Sequence, residues 1–245
     1  MSFFVSSSDI HNDIVSFSRE DSKHIAVVLR MREGDTIIVC DDSSQKHKCR
    51  ISSVSKETVI ADIVSTEYYS NRPSASVTVY AGLSKGDRFD YLIQKCVECG
   101  VDAIVPFISD RCVARPAPTE YEKKRIRFQK IADEAVSQSK RSNRVIVKSI
   151  LSFKEAVKLA SSHKTPLFLY EDENKFSLST VLKNSDGKDY SVFTGPEGGF
   201  SESESQYAIS SGMNVVSIGP RILRCETAPV AALCAIMYHT GNFDI

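Results

Sequence analysis

Apolar and polar positions along this chain change rhythm near residue 72, and the change predicts two domains. Before it, apolar runs are short and alternate with period two: Thr36 to Cys40, Lys48 to Val54 and Thr58 to Val64, separated by the polar turns Asp41-Asp42-Ser43-Ser44 and Ser55-Lys56-Glu57. Short strands broken by such turns predict a small β-barrel. Ahead of them, Asp21 to Glu33 predicts a short helix that ends in a turn at Gly34-Asp35. Around Tyr69-Ser70-Asn71-Arg72-Pro73-Ser74 the apolar pattern lapses, so one domain is expected over residues 1–71 and a second over 72–245.

Beyond that boundary strands alternate with helices. Val77 to Ala81 reads as a strand and Arg88 to Cys99 as a helix with the stripe Phe89, Leu92, Ile93, Cys96 and Val97, closed by Gly100. Ala103 to Phe107 is the next strand, and this βαβ rhythm predicts an α/β fold with a parallel sheet. Tyr121 to Lys140 is a long helix with Phe128, Ile131, Ala132, Ala135 and Val136 on one stripe. A helix from Ser152 to Ala160 and a third apolar strand, Leu167 to Glu171, follow.

The end of the chain carries the chemistry. Strand Ser191 to Thr194 runs into Gly195-Pro196-Glu197-Gly198-Gly199-Phe200. Three glycines in five residues leave the backbone bare, so its N–H groups can approach a ligand closely. Ser201-x-x-Glu204 is a capping box for the next helix, and Gly212 ends it. Val215 to Ile218 is another strand, leading into Gly219-Pro220-Arg221-Ile222-Leu223-Arg224-Cys225-Glu226-Thr227-Ala228-Pro229. Thr227 reads as the N-cap of a last apolar helix, with Pro229 in its first turn. Two glycine-bearing loops at the carboxyl ends of successive strands predict a ligand crevice. Neither matches a dinucleotide fingerprint or a Walker A loop. Backbone amides and carbonyls with Ile222 and Leu223 suit an adenosine-like, partly apolar ligand.

Composition narrows the class. The 245 residues are 42% hydrophobic, which is globular, and no stretch approaches the roughly 20 apolar residues that cross a bilayer. The first residues lack the basic region and apolar run of a signal peptide, so a cytoplasmic protein without a membrane partner is expected. Seven cysteines, an odd number without regular spacing, predict free thiols. The pair Cys96-x-x-Cys99 lies late in an amphipathic helix and reads as core packing. The five histidines are scattered, and no metal site is expected. Acidic and basic residues balance at 31 each, but from Arg111 to Lys148 eleven bases face four acids. That stretch is a candidate phosphate footprint or, equally, a solvated helix face.

The two glycine loops together, Gly195-Pro196-Glu197-Gly198-Gly199-Phe200 and Ile218-Gly219-Pro220-Arg221-Ile222-Leu223-Arg224-Cys225-Glu226-Thr227-Ala228, resemble the signature of the RsmE family. These are SPOUT-class methyltransferases that modify N3 of one uridine in 16S ribosomal RNA. Lys85-Gly86-Asp87-Arg88 with Gln94-Lys95 and Glu98-x-Gly100-Val101 is similar to the family's first turn and helix. The run Glu134-x3-Gln138-Ser139-x-Arg141 is similar to a further family segment, with one extra residue before Arg144 and Ile146 where a proline is usual. The resemblance implies S-adenosyl-L-methionine as cofactor, bound in a C-terminal trefoil-knot domain. It also implies a homodimer, an N-terminal PUA-like β-barrel that helps hold RNA, and 16S rRNA in the small ribosomal subunit as partner.

The residues expected to bind the donor are Leu169, Tyr170, Gly195, Glu197, Gly199, Ile218, Gly219, Leu223, Cys225 and Thr227. Arg224 could stabilise a developing imide anion and Glu226 could accept its proton; a salt bridge fixing the loop is the structural alternative for each. Glu197 equally suits a loop-shaping role. Arg30, Arg32, Gln138 and Arg141 are expected at the RNA. Three other readings compete: a SPOUT enzyme acting on another rRNA or tRNA nucleotide, a non-catalytic RNA-binding module, and a nucleotide-using enzyme whose glycine loops hold phosphate.

Overall fold

The computed structural model describes residues 2–43, 45–170 and 177–244. The chain forms two units, Met1–Arg72 with Val136–Arg144, and Pro73–Ala135 with Val145–Ile245.

The first unit contains strands β1 (Ser2–Phe4), β2 (Ile10–His11), β3 (Ile14–Ser16), helix α1 (Arg19–Lys23), β4 (Thr36–Cys40), β5 (Gln45–Val54) and β6 (Val59–Tyr68). They make one six-stranded sheet in the order β1-β4-β5-β6-β3-β2, parallel between β1 and β4 and antiparallel elsewhere. Alternation drives it. In β5, Cys49 and Ile51 point inward between exposed neighbours, and they join Val15, Ile37, Val39, Val59 and Ala61 in the interior. Register shifts at Lys48/Cys49 and Ile51/Ser53 bend β5 around this core.

β5 and β6 run longer than the apolar pattern predicts. The outer half of β6 is solvent-exposed on both faces, and that of β5 buries only the polar His47; both are held by the ladder from Gln45↔Tyr68 to Lys48↔Ser65, so hydrophobicity does not mark them. The same unit takes in the segment after the long helix. Asn71 N–H donates to Ser142 Oγ at 3.0 Å, Ser142 N–H returns to Asn71 Oδ1 at 2.7 Å, and Tyr69 Oη donates to the Lys140 carbonyl at 3.2 Å.

The second unit alternates β7 (Ser76–Gly82), α2 (Arg88–Glu98), β8 (Ala103–Ile108), α3 (Tyr121–Gln138, through Ala135), β9 (Ile146–Val147), β10 (Leu151–Ser152), α4 (Phe153–Ala160), β11 (Thr165–Leu169), α5 (Leu178–Lys183), β12 (Asp189–Thr194), α6 (Glu202–Ser210), β13 (Asn214–Val216) and α7 (Ala228–His239). Its sheet runs β10-β8-β7-β12-β11-β13 with β9 beside β8, and every ladder is parallel. Strands covered on both faces are continuously apolar, and β11 and β12 are buried almost throughout. Phe107 stacks on Phe193 at 4.4 Å, and Phe168 meets Phe200 at 4.6 Å, in one aromatic core. Because all strands point the same way, β12, β11 and β13 end together at Thr194, Leu169 and Val216. Helix α7 is apolar on all sides. Among the described residues no helix is long and apolar enough to cross a membrane, and no cluster of His, Cys, Asp and Glu suits a metal.

Several elements differ from the sequence reading. β1, β2, β3, β9, β10 and α5 are too short or too polar to give a periodic signal. Thr227 precedes α7 as expected, but its own backbone is helical and its side chain accepts no capping hydrogen bond. The end of the third strand, Glu171, lies outside the described residues.

Candidate functional site

The first glycine loop is held from three directions. Phe200 anchors its end in the aromatic core. The Glu197 carboxylate accepts the Lys85 N–H at 2.8 Å and Arg88 Nη1 at 2.9 Å, which fastens the loop to the turn after β7. Arg111 Nη1 donates to the Gly198 carbonyl at 3.2 Å, which fastens it to the turn after β8. Gly82, at the end of β7, lies so close to Pro196 that a Cβ there would sit 2.6 Å from its ring and nitrogen. The capping box of α6 is also more than a cap: Glu204 accepts Ser201 N–H at 2.9 Å and Asp110 N–H at 2.8 Å, and is buried.

The second loop leaves β13 through Ser217, which bridges to Ser177 at the start of α5. Gly219 takes φ +118, a conformation that side chains disfavour, and its N–H meets Ser217 Oγ at 3.3 Å. The Arg224 carbonyl then accepts the N–H groups of Thr227 and Ala228, both at 2.9 Å, which turns the chain into α7.

Between these loops lies a cavity of about 790 Å³, within the usual size of a small-molecule site. Of the expected donor residues, Leu169, Tyr170, Gly195, Glu197, Gly199, Ile218, Gly219, Leu223 and Cys225 line it, together with Arg224 and Glu226. Thr227 does not. Its place is taken by residues that the sequence reading left without a role, chiefly Arg88, Ser177 and Arg221. The signal for Arg88 was present in Lys85-Gly86-Asp87-Arg88, but nothing local shows that this turn reaches Glu197.

The charges differ in how they are used. Burial pushes the Glu197 carboxyl up, but the Lys85 amide and the Arg88 guanidinium outweigh it and hold the group below its ordinary value. Glu226 is 9% exposed and accepts the Cys225 thiol at 3.2 Å. Burial first, and that hydrogen bond second, push the Cys225 thiol up to about 12, so it stays protonated. The Arg221 and Arg224 side chains are exposed and make no hydrogen bond or ion pair among the described residues. Apolar walls from Leu169, Ile218 and Leu223, bare backbone and two carboxylates fit the adenosine, amino acid and sulfonium of S-adenosylmethionine.

The four residues expected at RNA all fall in the first unit. Arg30 and Arg32 are exposed, Arg30 with the unusual φ of 54, and Gln138 is exposed at the end of α3. Arg141 is only 5% exposed and donates to Asn143 Oδ1 at 3.3 Å. Much of the local basic excess is engaged within the protein. Arg115 ties the carbonyls of Ser109, Asp110 and Cys112, Arg125 pairs with Glu122, and Arg127 pairs with Asp90.

Known proteins resemble this chain in sequence and fold. Residues 71–237 match the family model for an RNA methyltransferase domain and residues 17–64 the model for an RNA methyltransferase PUA domain. Ribosomal RNA small subunit methyltransferase E of Bacillus subtilis is 35% identical over 92% of this chain and 90% of its own. That of Synechocystis is 32% identical over 91% of this chain and 72% of its own. The structure of the Neisseria gonorrhoeae enzyme of the same name, bound to S-adenosyl methionine, is 30% identical and superimposes with a TM-score of 0.83 over 97% of this chain and 96% of that one. Its sequence, its PUA-like sheet and its parallel α/β domain make this chain a member of the ribosomal RNA small subunit methyltransferase E (RsmE) family.

Proposed function

We propose that this protein methylates N3 of a single uridine in the 16S rRNA of the small ribosomal subunit. Family membership makes it an S-adenosylmethionine-dependent rRNA methyltransferase; the base, the atom and the residues are our reading. One observation carries it: the cavity between the 195–200 and 217–226 loops, at the carboxyl ends of β12, β11 and β13. Residues 72–245 form the transferring domain, with the chain path through the two loops as a trefoil knot, and residues 1–71 help hold RNA.

When bound, S-adenosylmethionine supplies a methyl group already activated by its sulfonium, so the protein's task is mainly alignment, which can contribute up to about 7 to 11 kcal/mol. Leu169, Ile218 and Leu223 keep water out, and Gly195, Gly199 and Gly219 let backbone groups approach. Tyr170 and Cys225 complete the wall, with Thr227 supporting the loop from behind. Glu197 shapes the loop. Arg224 has no competing partner among the described residues and stabilises negative charge on the uracil imide. Glu226, buried beside a neutral thiol, accepts the N3 proton.

Arg30, Arg32, Gln138 and Arg141 position the RNA, Arg141 by fixing the segment after α3 from within. The protein acts in the cytoplasm as a homodimer, which the apolar circumference of α7 and its 76% exposed Tyr238 support; light scattering should give twice the mass of one chain.

Mass spectrometry of 16S rRNA from cells lacking the protein tests the reading. One methyluridine should be missing and return with the wild-type chain. An unchanged 16S rRNA would overturn the substrate.

A further inference from the structure

Ile222 is 86% exposed, more than any other large apolar side chain among the described residues, and it stands on the wall of the cavity. Turns are normally built from Gly, Pro, Asn, Asp and Ser, and among the described residues nothing covers an isoleucine here. Arg221 and Arg224 flank it in sequence, both exposed and both with side chains that make no hydrogen bond or ion pair among the described residues. Arg88, on the same cavity, is by contrast held by Glu197 at 2.9 Å. The turn is not loose, because the Arg224 carbonyl is fixed by two amides at the start of α7. A stiff, β-branched apolar group between two available guanidinium groups is thus presented at the mouth of the site.

We infer that Ile222 is a wedge that fills the gap left when the target nucleotide leaves its RNA stack, with Arg221 gripping an adjacent phosphate. The inference rests on the reading that a base enters this cavity. Its physics is general. Chemistry on a base requires the base to be extruded, at the expense of its stacking. Apolar side chains inserted between base steps recover part of that stacking, and arginines beside them hold the backbone. Ile222 touches substrate without supplying a proton or charge, so it is a positioning residue.

The test compares Ile222→Ala, Ile222→Leu and Arg221→Ala with wild type, using small subunits from cells lacking the protein. Ile222→Ala should lower kcat/KM roughly tenfold, while its S-adenosylmethionine Kd by calorimetry, its Tm and its oligomeric state stay at wild-type values. Ile222→Leu should restore most of the rate, and Arg221→Ala should raise KM more than it lowers kcat. In a 16S rRNA fragment with 2-aminopurine beside the methylated uridine, wild type should raise fluorescence as stacking is lost, and Ile222→Ala should not.

Wild-type rate and fluorescence from Ile222→Ala would overturn the wedge. So would a loss of donor affinity, which would assign Ile222 to the donor pocket, or a changed oligomeric state, which would assign it to a subunit contact. A wild-type chain that methylates no subunit would overturn the proposed function instead.

Discussion

Glu197 and Arg88 are joined across two loops that lie far apart in sequence: the guanidinium donates to the carboxylate at 2.9 Å, and the Lys85 amide donates to the same oxygen at 2.8 Å. A glycine-rich loop has much backbone freedom to lose on binding, and this contact removes part of that freedom beforehand. Under the proposed function, Glu197 acts on the donor through the shape of the loop.

Replacing Glu197 by Gln should weaken S-adenosylmethionine binding by roughly fivefold to tenfold, since a charge-assisted hydrogen bond is lost and an amide is left poorly paired. Arg88→Ala should cost less, about 1 kcal/mol at most, because half of that side chain is in solvent. Calorimetric titration of both variants gives the order. The pH dependence has a definite sign. A carboxyl whose folded pKa is depressed contributes stability above its ordinary range near 4.3 and loses it as pH falls through the folded value. This contribution to donor affinity should stay level from neutral pH to about pH 5 and fall in more acidic buffer.

Arg224→Ala and Glu226→Gln should reduce kcat by on the order of a hundredfold while donor affinity stays within about threefold. Loss of donor binding in Arg224→Ala would reassign the arginine to the pocket wall. If Glu226 is the proton acceptor, its Gln variant should also lose the acid limb of the pH–rate profile.

Gly82→Ala should be among the most damaging small substitutions in the chain. Its Cβ would lie 2.6 Å from the Pro196 nitrogen, so the glycine loop or the end of β7 must move. Overpacking of this kind costs about 1 to 3 kcal/mol. A lowered Tm together with weakened donor binding is expected, and a wild-type Tm would disprove the contact.

Cys225 should resist iodoacetamide at pH 8 although it faces the cavity. With its thiol pushed up to about 12, on the order of one molecule in ten thousand carries the thiolate. Cys234 on α7 should react sooner, because the Cys99 thiol beside it donates a hydrogen bond that lowers its pKa. Peptide mapping of labelled protein would show the order.

The glycine loops, the capping box at Ser201 and the turn at Gly100 were legible because each depends on local backbone chemistry. Gly100 and Gly212 take φ +105 and +85, as residues that end helices do. The parallel sheet was legible from the alternation of strands and helices beyond residue 72. The clamp on Glu197 was not, since its partners Lys85 and Arg88 reach it through the adjacency of β7 and β12, which no local pattern encodes. Arg141 was expected at the RNA from its place in a family segment: charge is visible in sequence, and its burial to 5% exposure is not.

The pairing of β7 with β12, Ser76 beside Asp189 and Ala81 beside Thr194, also bears on synthesis. A ribosome translating this chain makes β7 long before its neighbour exists, and the cavity wall is incomplete until Ala228 has emerged. A nascent copy therefore has no complete methyl-donor cavity until the start of α7 has left the particle that builds it.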